Sequence, residues 1–399
     1  DGIAISIRNI QLHLLFPPHI QFSNFHYNKN RASVNGLCYN KIMNTQKLLE
    51  QWLQKGLEEG AFPSAAAAVG RGAEVLAAAC AGATRQGGPE VNLNTRYDMA
   101  SCTKLMATAM AAFHLIEQGE ICLSDPMSRF YDGLGREAGR ITVFHLLTHT
   151  SGIAPLTSCV GTPRERAAEE ILSRPLAYET GTCVGYDCLG YIVLGRLLEK
   201  VAVKRLDEMT REWVYEPMGM TQTGFCPTGG DIAPTDIDRT TGTVSCGLVN
   251  DYNARSLGGI VGNAGLFSNL HDCAAFARML LCGGAYGDRR IVSEAMLSLA
   301  TRNHTPGLPA YEGASFGLSR GLGVYRVCAP LNPPAELLSD EAYGHTGYTG
   351  PTLIVDPKME LYLVLLTSRL HVVKEHPEDV WRIRRRLTSA IAAEWGGIR

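Results

Sequence analysis

At 399 residues, with 45% apolar and 19% charged side chains, the chain has the composition of a globular protein, long enough for a large core and two or three structural units. Its 37 Lys and Arg against 39 Asp and Glu leave a net charge of −2, and without a basic run this excludes a nucleic-acid binder that works by neutralising phosphates. No stretch reaches the ~20 apolar residues of a membrane-spanning helix, so no membrane span is expected.

In chain order, residues 1–42 stand apart. They are rich in Asn, His, Phe and Ile, and Asp1 is the only acid before Met43. They read as a non-native or flexible N-terminal extension, with Met43 as the natural start. Residues 45–60 read as an amphipathic helix with Leu48, Leu49, Trp52, Leu53 and Leu57 on one stripe. Two small-residue apolar runs, 64–70 and 74–81, flank Gly70-Arg71-Gly72 and predict a hairpin. A second helix is expected over 101–119. The middle is loop-rich with intermittent helices, clearest at 189–201, and further helices are expected over 272–282 and 292–300. Strands follow at 316–327, 351–356 and 361–367, and a long helix closes the chain at 378–395.

This order is not the βαβα rhythm of a parallel sheet. It predicts an α+β fold: an antiparallel sheet flanked by helices, built from 43–125 and 265–399, with 126–264 inserted as an all-helical lobe. A ligand site is expected in the cleft between the lobes. The twelve cysteines are scattered without a CxxC pair or zinc spacing, which favours reduced, mostly buried thiols and a cytoplasmic location.

The sharpest chemical feature is Ser101-Cys102-Thr103-Lys104. Serine needs a base to act as a nucleophile, and at i, i+3 on a helix the two side chains share a face. A helix starting at the serine also directs free N–H groups at an anion formed there. A desolvated lysine can give up its proton and serve as the base. An N-cap serine followed by a surface lysine would give the same four letters, so the surroundings decide. Tyr97-Asp98-Met99-Ala100 leads into Ser101. Downstream come Leu146-Leu147-Thr148-His149-Thr150-Ser151-Gly152, then Tyr186-Asp187-Cys188, then Ala264-Gly265-Leu266-Phe267-Ser268, and finally His345-Thr346-Gly347.

With these elements in this order, the chain from about Met43 onward resembles the serine β-lactamase and penicillin-binding protein superfamily, in the branch of class C β-lactamases, D-aminopeptidases and β-lactamase-like esterases. The resemblance implies an acyl-enzyme on Ser101, with Lys104 and Tyr186 sharing the proton traffic and the N–H groups of Ser101 and Tyr348 holding the oxyanion. It implies that Cys188, His345, Thr346 and Gly347 line the substrate face. Neither a metal nor an organic cofactor is required by this chemistry. Cys188 stands where the family carries the asparagine of Tyr-x-Asn, and His345 where penicillin-recognising members usually carry lysine. Both departures shift the expectation from a β-lactamase toward an esterase, amidase or peptidase acting on small substrates. A β-lactamase or D-aminopeptidase/DD-peptidase is the enzymatic alternative, and a penicillin- or peptidoglycan-binding sensor without turnover is the alternative of another class. At an ordinary pKa of ~6.5 a protonated His345 would hold a substrate carboxylate more weakly as pH rises.

Two other patterns are set aside. Gly313-Ala314-Ser315-Phe316-Gly317 has the letters of a nucleophile elbow, but no helix follows it. His145 and His149 have the i, i+4 spacing of metal ligands without an acidic neighbour.

Overall fold

Strand β1 (Ser64–Arg71) explains the architecture from its own letters. Ala65, Ala67 and Val69 point to one face, Ala66 and Ala68 to the other, and all five are buried. A strand buried on both faces needs a layer of apolar side chains on each side. In the computed structural model, which describes residues 36–85, 87–155, 157–237, 243–312, 318–327, 336–369 and 378–396, helices supply both layers. β1 pairs antiparallel with β2 (Glu74–Gly82) on one side. Three further strands, β3 (Tyr325–Arg326), β4 (Tyr343–Thr346) and β5 (Thr352–Asp356), lead to β6 (Leu361–Thr367) on the other. The six-stranded order is β3-β4-β5-β6-β1-β2, antiparallel throughout.

Helix α1 (Gly36–Glu58) and the closing helix α5 (Glu378–Trp395) cover one face. Leu49, Leu53, Ile383, Leu387 and Ile391 pack there against Ala65, Ala67, Leu363 and Leu365. Each such leucine, fully buried, contributes roughly 1.5–3 kcal/mol. The other face carries helix α2 (Met110–Glu117) and helix α4 (Leu270–Leu281), with Ala66, Leu353, Val364 and Leu366 meeting Met106, Met110 and Phe276 in a larger core. That core runs on into helix α3 (Leu189–Ala202) and the short helices of the middle of the chain. The chain divides into two units, residues 1–40 and 41–399. Among the described residues no helix is long and apolar enough to cross a membrane.

Strand β6 and helix α5 match their sequence-predicted limits, and α1 begins at Gly36, ahead of Met43. Three expectations need correction. The strand expected over 316–327 reduces, among the described residues, to Tyr325–Arg326, because Gly321 and Gly323 (φ +71°) close a tight turn, Gly321 N–H to Val324 C=O at 3.0 Å. The helix expected to begin at Ser101 begins one residue later and is π-helical over Lys104–Ala109 before becoming α2. The described cysteines are free, but Cys80, Cys122, Cys226, Cys246 and Cys282 are exposed, so the thiols are not mostly buried. The 313–317 run with Ser315 lies outside the described residues.

Candidate active site

The site is built on a strained turn. Tyr97–Asp98 forms a short strand against Leu266–Ser268, and the Met99 N–H donates to the Leu266 carbonyl at 2.8 Å. Asp98 turns the chain back. Its buried carboxylate accepts the N–H groups of Ala100 and Asn250, both at 2.8 Å. Burial raises its pKa to about 6. Ala100 then takes a left-handed conformation (φ 44°), rare for a residue with a Cβ, and Ser101 emerges half-buried. The following segment is π-helical, an irregularity found often at functional sites.

Lys104 is fully buried. Its Nζ has three acceptors: Ser101 Oγ at 3.1 Å, the Asn263 carbonyl at 3.0 Å and Cys188 Sγ at 3.6 Å. An ammonium has three protons to donate, so the surroundings match the charged form. Burial opposes that charge, but the Cys188 thiol and the Tyr186 phenol, as anions, favour it more, and the pKa of Lys104 is raised. Desolvation alone would lower the pKa, and here it is outweighed. The Tyr186 hydroxyl interacts with both Ser101 and Lys104. Burial raises its pKa, and Lys104 works in the opposite direction. The Cys188 thiol is likewise raised, by burial ahead of the opposing Lys104, so a resting thiolate nucleophile does not fit. Lys104 shifts the titration of both Tyr186 and Cys188 and is shifted by both, and Cys188 shifts that of Tyr186.

The loop that carries Tyr186 is held by the run 146–152. The Gly185 N–H donates to the His149 carbonyl at 2.9 Å, Gly181 N–H to the Thr150 carbonyl at 2.8 Å, and Ala177 N–H to the Gly152 carbonyl at 2.7 Å. His149, buried and left-handed (φ 57°), lies with its ring 4.4 Å from that of Tyr186 and accepts the Asp187 N–H on Nδ1 at 3.3 Å. Burial, followed by the nearby Arg320 and Lys104, holds it well below the usual histidine range. His145 instead accepts the Thr142 N–H on its Nδ1, capping the short helix Val143–Leu147. The two histidines therefore do different jobs, and among the described residues no cluster suited to a metal occurs. Asp187, not Cys188, caps α3, accepting the Gly190 N–H.

The opposite wall is β4 and the turn after it. His345 is buried, its Nδ1–H donating to the Thr346 carbonyl at 2.8 Å. Burial, then Lys104, pushes its pKa from the ordinary ~6.5 down to about 3, which favours the neutral ring over a carboxylate-holding imidazolium. Thr346 is half-buried at the end of β4. Gly347 sits where a Cβ would lie 2.7 Å from the Met99 carbonyl, so this turn packs directly on the nucleophile turn. Thr349 Oγ1 donates to the Asp98 carbonyl at 2.8 Å, and Arg369 Nε donates to the Tyr348 carbonyl at 2.7 Å. Tyr348 itself is exposed. Neither the Ser101 N–H nor the Tyr348 N–H has an acceptor among the described residues.

The fold thus gathers Ser101, Lys104, Tyr186 and Cys188 on one side and His345–Tyr348 on the other. Sequence reasoning missed Asn263, whose carbonyl binds Lys104, and the buried Arg320, whose Cζ lies 5.1 Å from the Tyr186 ring centroid. Their only sequence signals were the adjacent glycine-rich Ala264-Gly265 and an arginine inside a glycine-rich apolar run.

A family model described as beta-lactamase matches residues 49–388. A protein named "Putative D-alanyl-D-alanine carboxypeptidase" from Salmonella enteritidis is 30% identical over 321 residues, 71% of this chain and 72% of that one. Among solved structures, EstCE1, "a hydrolase with promiscuous acyltransferase activity", superposes with a TM-score of 0.68 at 21% identity, covering 89% of this chain and 99% of its own. An octameric penicillin-binding protein homologue from Pyrococcus abyssi also gives 0.68, at 22% identity over 88% and 78% of the two chains.

Proposed function

Because this chain belongs to the beta-lactamase family, we propose that it is a serine hydrolase that forms an acyl-enzyme on Ser101 and cleaves ester or amide bonds of small substrates. The observation that carries the reading is the 3.1 Å contact between Ser101 Oγ and a fully buried Lys104 Nζ, with the Tyr186 ring centroid 5.0 Å from that Nζ. Ser101 Oγ attacks the carbonyl carbon and its proton passes to the oxygen of Tyr186 in its phenolate form. The Lys104 ammonium stabilises that phenolate, since it keeps its own proton. The N–H groups of Ser101 and Tyr348 receive the oxyanion. Tyr186 then protonates the leaving alkoxide or amine, and a water repeats the sequence to release the acid.

A neutral, buried His345 supplies no charge for a substrate carboxylate, which favours esters and small amides over anionic lactams. The relative named as a D-alanyl-D-alanine carboxypeptidase favours a second reading, cleavage of D-alanyl peptides. Intact-mass spectrometry after exposure to a fluorophosphonate, a short p-nitrophenyl ester, a penicillin and a D-alanyl-D-alanine peptide separates the cases. Expected are a fluorophosphonate adduct that Ser101→Ala abolishes and sustained turnover of the ester. Labelling that survives Ser101→Ala overturns the reading, and a stoichiometric acyl adduct without turnover marks a sensor.

A further inference from the structure

Tyr186 has cations at two places around its ring, and the mechanism above uses only one. Lys104 Nζ lies 5.0 Å from the ring centroid and Arg320 Cζ 5.1 Å. Arg320 is buried and its backbone is fixed on both sides. Its N–H donates to Thr305 Oγ1 at 2.9 Å, and its carbonyl accepts the His304 N–H at 2.7 Å. The guanidinium interacts electrostatically with three phenols, Tyr186, Tyr191 and Tyr325, and lies against the ring of Tyr186. The Tyr191 hydroxyl is committed to the Leu147 carbonyl at 3.1 Å, whereas that of Tyr186 meets Ser101 and Lys104.

We propose that Arg320 is a positioning residue for the reaction: a permanent cation that, together with Lys104, stabilises the phenolate of Tyr186 in which the serine proton is received. An arginine suits this task because it does not give up its charge in the working pH range. The other titratable groups around Tyr186 do not supply a rival positive charge. His149, at 4.4 Å between ring centroids, and His345, at 6.3 Å, are both held neutral, with Arg320 itself among the causes. Asp187, next in the chain, and Cys188 are held toward their neutral forms by burial. A cation against an aromatic face is attracted more strongly once the ring carries a phenolate charge.

The inference rests on the proposed proton path through Tyr186, and its test reads Tyr186 directly. Phenolate absorbance near 295 nm is titrated in the wild type, Arg320→Met, Arg320→Gln and Arg320→Lys. Each trace is corrected with its Tyr186→Phe counterpart. A charge 4–6 Å away shifts a pKa by about one to three units. Removing the charge in Arg320→Met or Arg320→Gln is therefore expected to move the Tyr186 titration upward by about one unit or more. It should also lower kcat for a p-nitrophenyl ester about tenfold at pH 7.5 with KM little changed, and Arg320→Lys should restore both. If Arg320→Met does not fold, Arg320→Gln, which retains hydrogen-bonding groups, carries the comparison. A folded, uncharged variant whose Tyr186 titration matches the wild type overturns the proposal. A wild type that neither turns over esters nor is labelled at Ser101 overturns the hydrolase reading instead, and the titration still decides the role of Arg320.

Discussion

Replacing Lys104 by methionine separates function from stability in a way the site's geometry dictates. Methionine keeps nearly the same length and volume, so the fully buried slot stays filled. The ammonium is lost, and with it three contacts, to Ser101 Oγ, Cys188 Sγ and the Asn263 carbonyl. Only the Asn263 carbonyl loses an important partner inside the protein, because Ser101 is half-buried and reaches water and sulfur is a weak acceptor. An unsatisfied buried carbonyl costs about 1–3 kcal/mol. Against this stands release from burying an ammonium, whose effective penalty in proteins is several kcal/mol. The site favours the ammonium by more than burial opposes it, so this penalty is already offset, and Lys104→Met should lose about 1–3 kcal/mol in urea. Activity should fall further. Without the cation the Tyr186 phenolate becomes rarer and the serine proton has no acceptor. Ester turnover should fall about 10²–10⁴-fold, read as the rate of nitrophenol release. A variant that melts far below the wild type would show that Lys104 is a structural ion. One that keeps a tenth of the activity would show that the proton travels elsewhere.

Gly347→Ala should be nearly as damaging without touching a titratable group. The new Cβ would lie 2.7 Å from the Met99 carbonyl and 2.6 Å from Pro351 Cγ. The backbone oxygen cannot move aside cheaply, so the Tyr348 N–H would be displaced from the serine, lowering kcat about 10²–10³-fold with KM little changed. Wild-type kcat would remove Tyr348 from the oxyanion site. Stability against pH tests the state of His345. Its folded pKa of about 3 lies below the ordinary value of about 6.5, so its contribution is complete above pH 6.5 and is lost as pH falls toward 3. Urea midpoints should drop between pH 7 and pH 4.5, and less steeply in His345→Gln. Affinity for anionic substrates should show no titration near pH 6.5 arising from this residue.

What could be read in the sequence is what adjacent residues determine. Ser101 and Lys104 lie within one helical turn, and their meeting needs no information from elsewhere. Strand β6 is a seven-residue apolar run and α5 an amphipathic helix ending in Trp395, so both announce themselves by composition and period. The π-helical stretch Lys104–Ala109 has no such marker, since its letters suit an α-helix equally well. The direction in which the Lys104 pKa shifts is equally unmarked in the local sequence. Desolvation follows from burial alone, but the acceptors that outweigh it come from Cys188 and Asn263, 84 and 159 residues away. His345 was assigned an ordinary pKa because nothing local says that its strand is buried beside two cations.

The same long-range dependence explains why the site consists of two turns pressed together. Asp98 serves both. Its carboxylate fixes the left-handed Ala100 that presents Ser101, and its carbonyl accepts Thr349 Oγ1 from the turn bearing Tyr348. The Cys102 thiol reaches the His345 carbonyl at 3.5 Å across the same seam. The two N–H groups without acceptors are thus placed by contacts spanning about 250 residues of chain, while nucleophile and lysine are placed by three. Nucleophile geometry should therefore persist through changes that loosen β4, and oxyanion stabilisation should not. On the proposed mechanism, such changes are expected to weaken the anion site before they disturb the serine–lysine pair.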